Sequence, residues 1–100
     1  MVPVLSGATR VVASKSQVSA TLSGEAVILG MDDAVYYGLD TVGTRFWALV
    51  QQPCSLDVAA DQIESEFDVT RDRALADLIA LATDLAARGL LEVLPVQPVS

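Results

Sequence analysis

The 100-residue sequence contains no histidine and a single cysteine, Cys54. Without histidine it lacks the commonest general base and the commonest metal ligand. One cysteine excludes an internal disulfide and a cysteine-cluster metal site, and fits a reducing cytoplasm. Cationic side chains are also scarce: six lysines and arginines stand against thirteen acids, for a net charge of −7. All thirteen acids fall after residue 20, where only Arg45, Arg71, Arg73 and Arg88 oppose them. A body this acidic repels phosphate backbones, which argues against nucleic acid as a partner. No run approaches the ~20 uninterrupted apolar residues of a membrane span. No basic segment precedes the mildly apolar start, so no secretion signal is read there. These absences argue against an enzyme and a membrane partner, and they suggest neither metal nor cofactor.

Hydrophobic residues make up 52% of the chain, enough to build a core at a common single-domain length. Pro3, Gly7 and scattered small residues read as a flexible N-terminal tail over 1–14. Pro95 and Pro98 forbid helix and give a C-terminal tail over 96–100. The ordered domain is expected over 15–95. Within it the hydrophobic period changes from two to about 3.6 near residue 40. Val18, Ala20 and Leu22 alternate with polar neighbours, the pattern of a half-buried strand. Ser23-Gly24 marks a turn, and Val27, Leu29 and Met31 share one face of a second strand. After the Asp32-Asp33 turn, a third strand runs from Ala34 to Leu39, with Val35, Tyr37 and Leu39 facing inward. Short connections make this an antiparallel meander.

Three helices follow. Asp40 or Thr41 caps the first, which carries Val42, Phe46, Leu49 and Val50 on one stripe and ends by Pro53. Ser55 caps the second, with Ala59, Ile63 and Phe67 as its stripe. Thr70 caps the third, which runs to Arg88 with Gly89 just past its end. Leu90 to Leu94 reads as a short closing strand. The expected fold is α+β and winged helix-turn-helix-like: a three-stranded antiparallel β-meander followed by three α-helices.

The third helix carries two apolar rows. With Leu75 at 0° and about 100° per residue, Ile79, Ala82 and Ala86 fall within about 40° and form a core stripe. Ala74, Leu78, Leu81 and Leu85 fall between about 240° and 300°, bordered by Asp77 and Asp84. One stripe suffices to dock a helix on a small sheet. The second row therefore reads either as a wide core or as one wall of a groove with a charged lip. The third strand ends the meander and has no Lys or Pro to discourage pairing, so its edge can accept an extended peptide.

These residues carry a family resemblance. The runs Glu25 to Leu29, Val35 to Gly43 and Phe46-Trp47, with the ending Leu85 to Leu91, resemble the PqqD family. That family includes the recognition elements of ribosomally made, modified peptides. The similarity spans about residues 17–94, and its specific part is the passage YYGLDTVGTRFW. Asp40 stands where the family usually has Asn, and either residue caps a helix. Among family members the chain most resembles the stand-alone leader-binding proteins of lasso peptide clusters. The resemblance implies a non-catalytic cytoplasmic adaptor without a cofactor. Such a protein holds the leader of a precursor peptide as an added strand and presents it to a leader peptidase and other biosynthetic enzymes. Carried onto this sequence, the strand contacts are Ala34, Val35, Tyr36 and Tyr37. The helix contacts are Ala74, Leu78, Leu81 and Leu85, with Asp77 and Asp84 attracting basic leader residues. Whether the chain is a monomer or a dimer is left open by the sequence.

The alternative within this fold class is a winged-helix DNA-binding regulator that inserts the third helix into the major groove. Arg71, Arg73 and Arg88 are its only bases, opposed by Asp72, Asp77 and Asp84. Cys54 has no base to activate it and reads as a spare thiol. Asp57, Asp61, Glu64 and Asp68 read as a solvated helix face, and Asp32-Asp33 as a turn before a metal site.

Overall fold

A computed structural model describes residues 4–32 and 36–95. Strands β1 (Arg10–Ala13), β2 (Gln17–Leu22), β3 (Glu25–Gly30) and β4 (Tyr36–Gly38) precede helix α1 (Thr41–Leu49). Strand β5 (Cys54–Ser55), helices α2 (Leu56–Glu66) and α3 (Arg71–Ala87), and strand β6 (Leu91–Val93) complete the chain. The domain is mixed α+β, with the three helices the sequence predicts but two three-stranded sheets where it predicts one.

The meander β2-β3-β4 is antiparallel throughout. Its hairpin turns on Ser23 at φ 53° and Gly24 at φ 81°, the paired positive angles that match the twist of adjoining strands. The second sheet has the order β5-β1-β6. Its central strand lies inside the segment that the sequence marks as a tail. Val11 is fully buried, and Leu56 and Asp57 donate their amides to the carbonyls of Thr9 and Gly7 at 3.0 and 2.8 Å. A four-residue strand between a two-residue and a three-residue partner offers too little alternation to be seen in sequence.

Side-chain caps fix the helix starts. The Asp40 carboxylate accepts the Gly43 amide at 2.7 Å, Ser55 Oγ accepts that of Val58 at 3.2 Å, and Thr70 Oγ1 that of Arg73 at 3.3 Å. At the end of α3, Gly89 takes φ 75°. The Leu90 amide then reaches the Leu85 carbonyl at 3.0 Å and the Gly89 amide that of Ala86 at 3.1 Å, closing a Schellman motif.

Two expected orientations are overturned. On β2 the apolar side faces solvent. Its partner β3 buries Ala26 and Ile28, which stand opposite Thr21 and Ser19, so the register puts β2's polar side on the core-facing side of the sheet, although Val18 to Leu22 all stay exposed. Ser19 Oγ there accepts the indole N–H of Trp47 at 3.1 Å. On α3 the residues sealed in the core are Ala74, Leu78, Ala82 and Leu85, while Leu75, Ile79 and Ala86 are half-buried. The core therefore takes Ala74, Leu78 and Leu85 of the second row, with Ala82, because α3 packs chiefly on α2 and beside β6.

Candidate functional site

Strand β4 pairs with β3 on one side, Leu29 opposite Tyr36, Ile28 opposite Tyr37 and Val27 opposite Gly38. Its other edge has no strand partner among the described residues. The Leu39 amide donates to the Ala26 carbonyl at 2.8 Å. Because the ladder alternates, Tyr37 also turns its backbone groups to β3, and Tyr36 and Gly38 turn theirs to the open edge.

Beside that edge lies a groove of about 640 Å³. Tyr37, Gly38, Leu39 and Asp40 form one wall with Val42 and Gly43 of α1. Ala74, Asp77, Leu78 and Leu81 of α3 form the opposite wall. Ile63 and the α2–α3 connector Phe67, Asp68 and Val69 close the end. The lining is mostly apolar, and its charges among the described residues are carboxylates: Asp40, Asp68 and Asp77. Buried Gly43 keeps the start of α1 tight, since a Cβ there would lie 3.2 Å from Asp40 Oδ1 and from Leu39 Cδ2.

The residues singled out from sequence take distinct places. Ala34 and Val35 lie outside the described residues. Tyr36 projects from the outer face of the sheet, 68% exposed, so only its backbone adjoins the groove. Tyr37 lines the groove. On α3, Ala74 and Leu78 belong to the opposite wall but are almost wholly sealed, Leu78 being 1% exposed. Leu81 is half-buried, so part of its side chain is open on the groove wall. Asp77 stands at the lip, 3.5 Å from Arg73. Leu85 is fully buried and does not line the groove. Of the expected row of four, only Ala74, Leu78 and Leu81 line the groove, because Leu85 points into the core. Asp84 is engaged elsewhere: Oδ2 accepts the Tyr37 hydroxyl at 2.8 Å, and Oδ1 accepts Arg88 Nε at 3.2 Å. Burial, then the bond to Asp84, raises the Tyr37 hydroxyl pKa above its usual value.

Sequence reasoning missed Leu39, Val42, Phe67 and Val69 as groove residues, having assigned them to the inward side of the third strand, to helix stripes and to a connector. A signal existed: apolar Phe67 and Val69 lie in the four-residue link 67–70, which is too short to form a core of its own.

Every arginine of α3 is paired. Arg71 reaches Asp57 at 2.8 Å and Asp61 at 2.6 Å, Arg73 reaches Asp77, and Arg88, which caps the helix, reaches Asp84. Cys54 is remote from the groove, its thiol pKa raised by burial. Among the described residues, no three His, Cys, Asp or Glu are grouped to hold a metal, and no helix is long and apolar enough to cross a membrane.

The family model for coenzyme PQQ synthesis protein D (PqqD) matches residues 25–91. Among solved structures, TbiB1 in complex with the TbiA(β) leader peptide is 34% identical. The match covers 81% of this chain and 94% of that one, with a TM-score of 0.75. A lasso peptide synthetase B1 complexed with its leader peptide shares the fold at 22% identity, covering 82% and 96%, with a TM-score of 0.73. The tRNA-dependent lantibiotic dehydratase MibB from Microbispora sp. 107891 contains the same fold in 8% of its chain. There the match covers 87% of this chain at 18% identity and a TM-score of 0.60. None of the curated protein sequences matches this chain.

Proposed function

Because the chain belongs to the PqqD family, we propose that it is a non-catalytic adaptor that binds the leader segment of a ribosomal precursor peptide. The setting is lasso peptide biosynthesis or a related pathway, in the cytoplasm. The observation that carries this reading is the juxtaposition of an open β4 edge with an apolar groove against α3. An extended peptide adds to that edge by main-chain hydrogen bonds to Tyr36 and Gly38. Its alternate side chains then enter the groove over Ala74, Leu78 and Leu81. Asp77 and Asp68 favour a leader with basic residues near its apolar anchors. Asp84 contributes to the wall through Tyr37.

Titrating fluorescein-labelled TbiA(β) leader peptide into the protein tests this. Saturable binding with a Kd between micromolar and nanomolar is expected, about −8 to −12 kcal/mol. A scrambled peptide of the same composition should not saturate. Equal behaviour of the two peptides would refute the reading.

Delivery to modifying enzymes, a leader peptidase first among them, completes the role. Holding the leader raises the core peptide toward millimolar local concentration at the enzyme. This needs a second surface. The outer face of β2-β3-β4 presents Val18, Leu22, Leu29, Met31 and Tyr36 at 39–68% exposure, with the exposed Glu25 opposite Leu22 at its hairpin end. It adjoins the leader edge, so an enzyme with its own apolar face would meet sheet and added strand together. Leu29→Lys should leave leader affinity unchanged and slow processing of the bound precursor. Unchanged processing would remove this face from the delivery step.

The frame of α2, α3 and the β2–β3 hairpin is winged helix-turn-helix-like in this reading, but turned to peptide. The DNA-binding alternative finds no support, since a major-groove helix needs free cations and each arginine of α3 has a carboxylate partner.

A further inference from the structure

Strand β4 has three residues and, among the described residues, one strand neighbour, yet its inner side forms one wall of the groove. Among the described residues, the direct polar link between these two elements is the bond from the Tyr37 hydroxyl to Asp84. Arg88 reinforces it from both sides: it donates to the other Asp84 oxygen, and its guanidinium carbon lies 5.2 Å from the centroid of the Tyr37 ring. The three side chains form a closed cluster in which each touches the other two. Half-burial of Tyr37 shields the bond partly from water, and the acceptor is charged, which places it among the stronger side-chain hydrogen bonds.

We infer that the Tyr37–Asp84–Arg88 cluster is a strut that sets the width of the groove and holds the β4 edge ready for an incoming strand. Tyr37 and Asp84 are then positioning residues, and the Asp84 carboxylate is saturated by its own chain, not free for a basic residue of the ligand. This inference rests on the leader-binding reading for its purpose. The strut itself is independent of that reading, since it concerns the ligand-free protein. Preorganisation is its physical content: a strand that must find its place on binding loses affinity to the ordering it requires.

The test separates the two. In the ligand-free protein, Tyr37→Phe keeps the ring on Arg88 and removes only the hydroxyl. Amide hydrogen exchange at position 37 and at Leu39 should become several-fold faster, while amides within α2 are unchanged. Asp84→Ala, which removes the acceptor, should do the same. Unchanged exchange in both variants overturns the strut. With labelled TbiA(β) leader, each substitution should raise Kd about tenfold, mainly through faster release, and the double variant should be no weaker than the weaker single. Losses that multiply would overturn the proposal by showing that the two side chains act separately. If the unaltered protein fails to bind that leader, the functional reading falls, and the exchange result alone decides the strut.

Discussion

Leu81→Ala probes the groove with the least damage to the fold. Leu81 lies on the groove wall and is partly buried, with at most about a third of it left for a ligand to cover. Truncation to Ala removes three carbons, and at about 0.8 kcal/mol per buried carbon the third facing the groove accounts for roughly 0.8 kcal/mol. That is about a fourfold rise in Kd for the leader peptide. The part packed on the core contributes about 1.6 kcal/mol to stability, roughly 6–13 °C in Tm for a domain of this size. Leu78→Ala provides the contrast. Leu78 is almost wholly sealed, so its truncation leaves a cavity and costs about 2–5 kcal/mol of folding stability before any ligand is added. Glu64→Ala, on the exposed side of α2, should change neither quantity. Anisotropy titrations with labelled TbiA(β) leader, run beside thermal melts, measure both effects. If Leu81→Ala binds as tightly as Glu64→Ala, the leader does not cross this wall and the assignment of the groove is wrong.

Other consequences concern stability and reactivity. Ser23 occupies a left-handed position that Asn adopts more readily, so Ser23→Asn should stabilise the hairpin by about 0.5 kcal/mol, seen as a small rise in Tm. Burial keeps the Cys54 thiol protonated at neutral pH. Iodoacetamide should alkylate it about tenfold or more slowly than a free cysteine at pH 7.5, and guanidinium should abolish the difference. Two hydrogen bonds from Arg45, at 2.8 and 3.0 Å, hold the Glu66 carboxyl below its ordinary pKa of 4.5. The pair's stabilisation is thus present above 4.5 and disappears as pH falls through the lower folded-state value. The Tm difference between the protein and Glu66→Gln, small because both groups are exposed, should close over that acid range. A difference that grows on acidification would contradict it.

Legibility in the sequence followed the strength of local signals. The caps at Asp40, Ser55 and Thr70, the turn at Ser23-Gly24 and the Gly89 stop each depend on one or two side chains acting on nearby backbone, and each is where the pattern put it. Of the sheet β5-β1-β6 only β6 was legible, as the closing strand at Leu90 to Leu94; β1 and β5 were not, because they are four and two residues long and pair across forty or more positions. The facing of β2 and α3 was misjudged for another reason. Period alone identifies an apolar face without saying what covers it. On β2 the deciding facts were the buried Ala26 and Ile28 of the neighbouring strand. On α3 both rows were apolar, and only docking against α2 and β6 selects which is sealed. The groove was half legible. Tyr37, Ala74, Asp77, Leu78 and Leu81 do line it, but Asp84 and Leu85 are diverted to the strut and the core.

Amide exchange at the open edge of β4 tests strand addition most directly. The Tyr36 and Gly38 N–H groups point away from β3 and should exchange quickly in the free protein. Once leader peptide is bound they should slow together, by a hundredfold or so at saturation, as their hydrogens pass to carbonyls of the added strand. A leader that binds tightly while both amides exchange as fast as before would contradict the account.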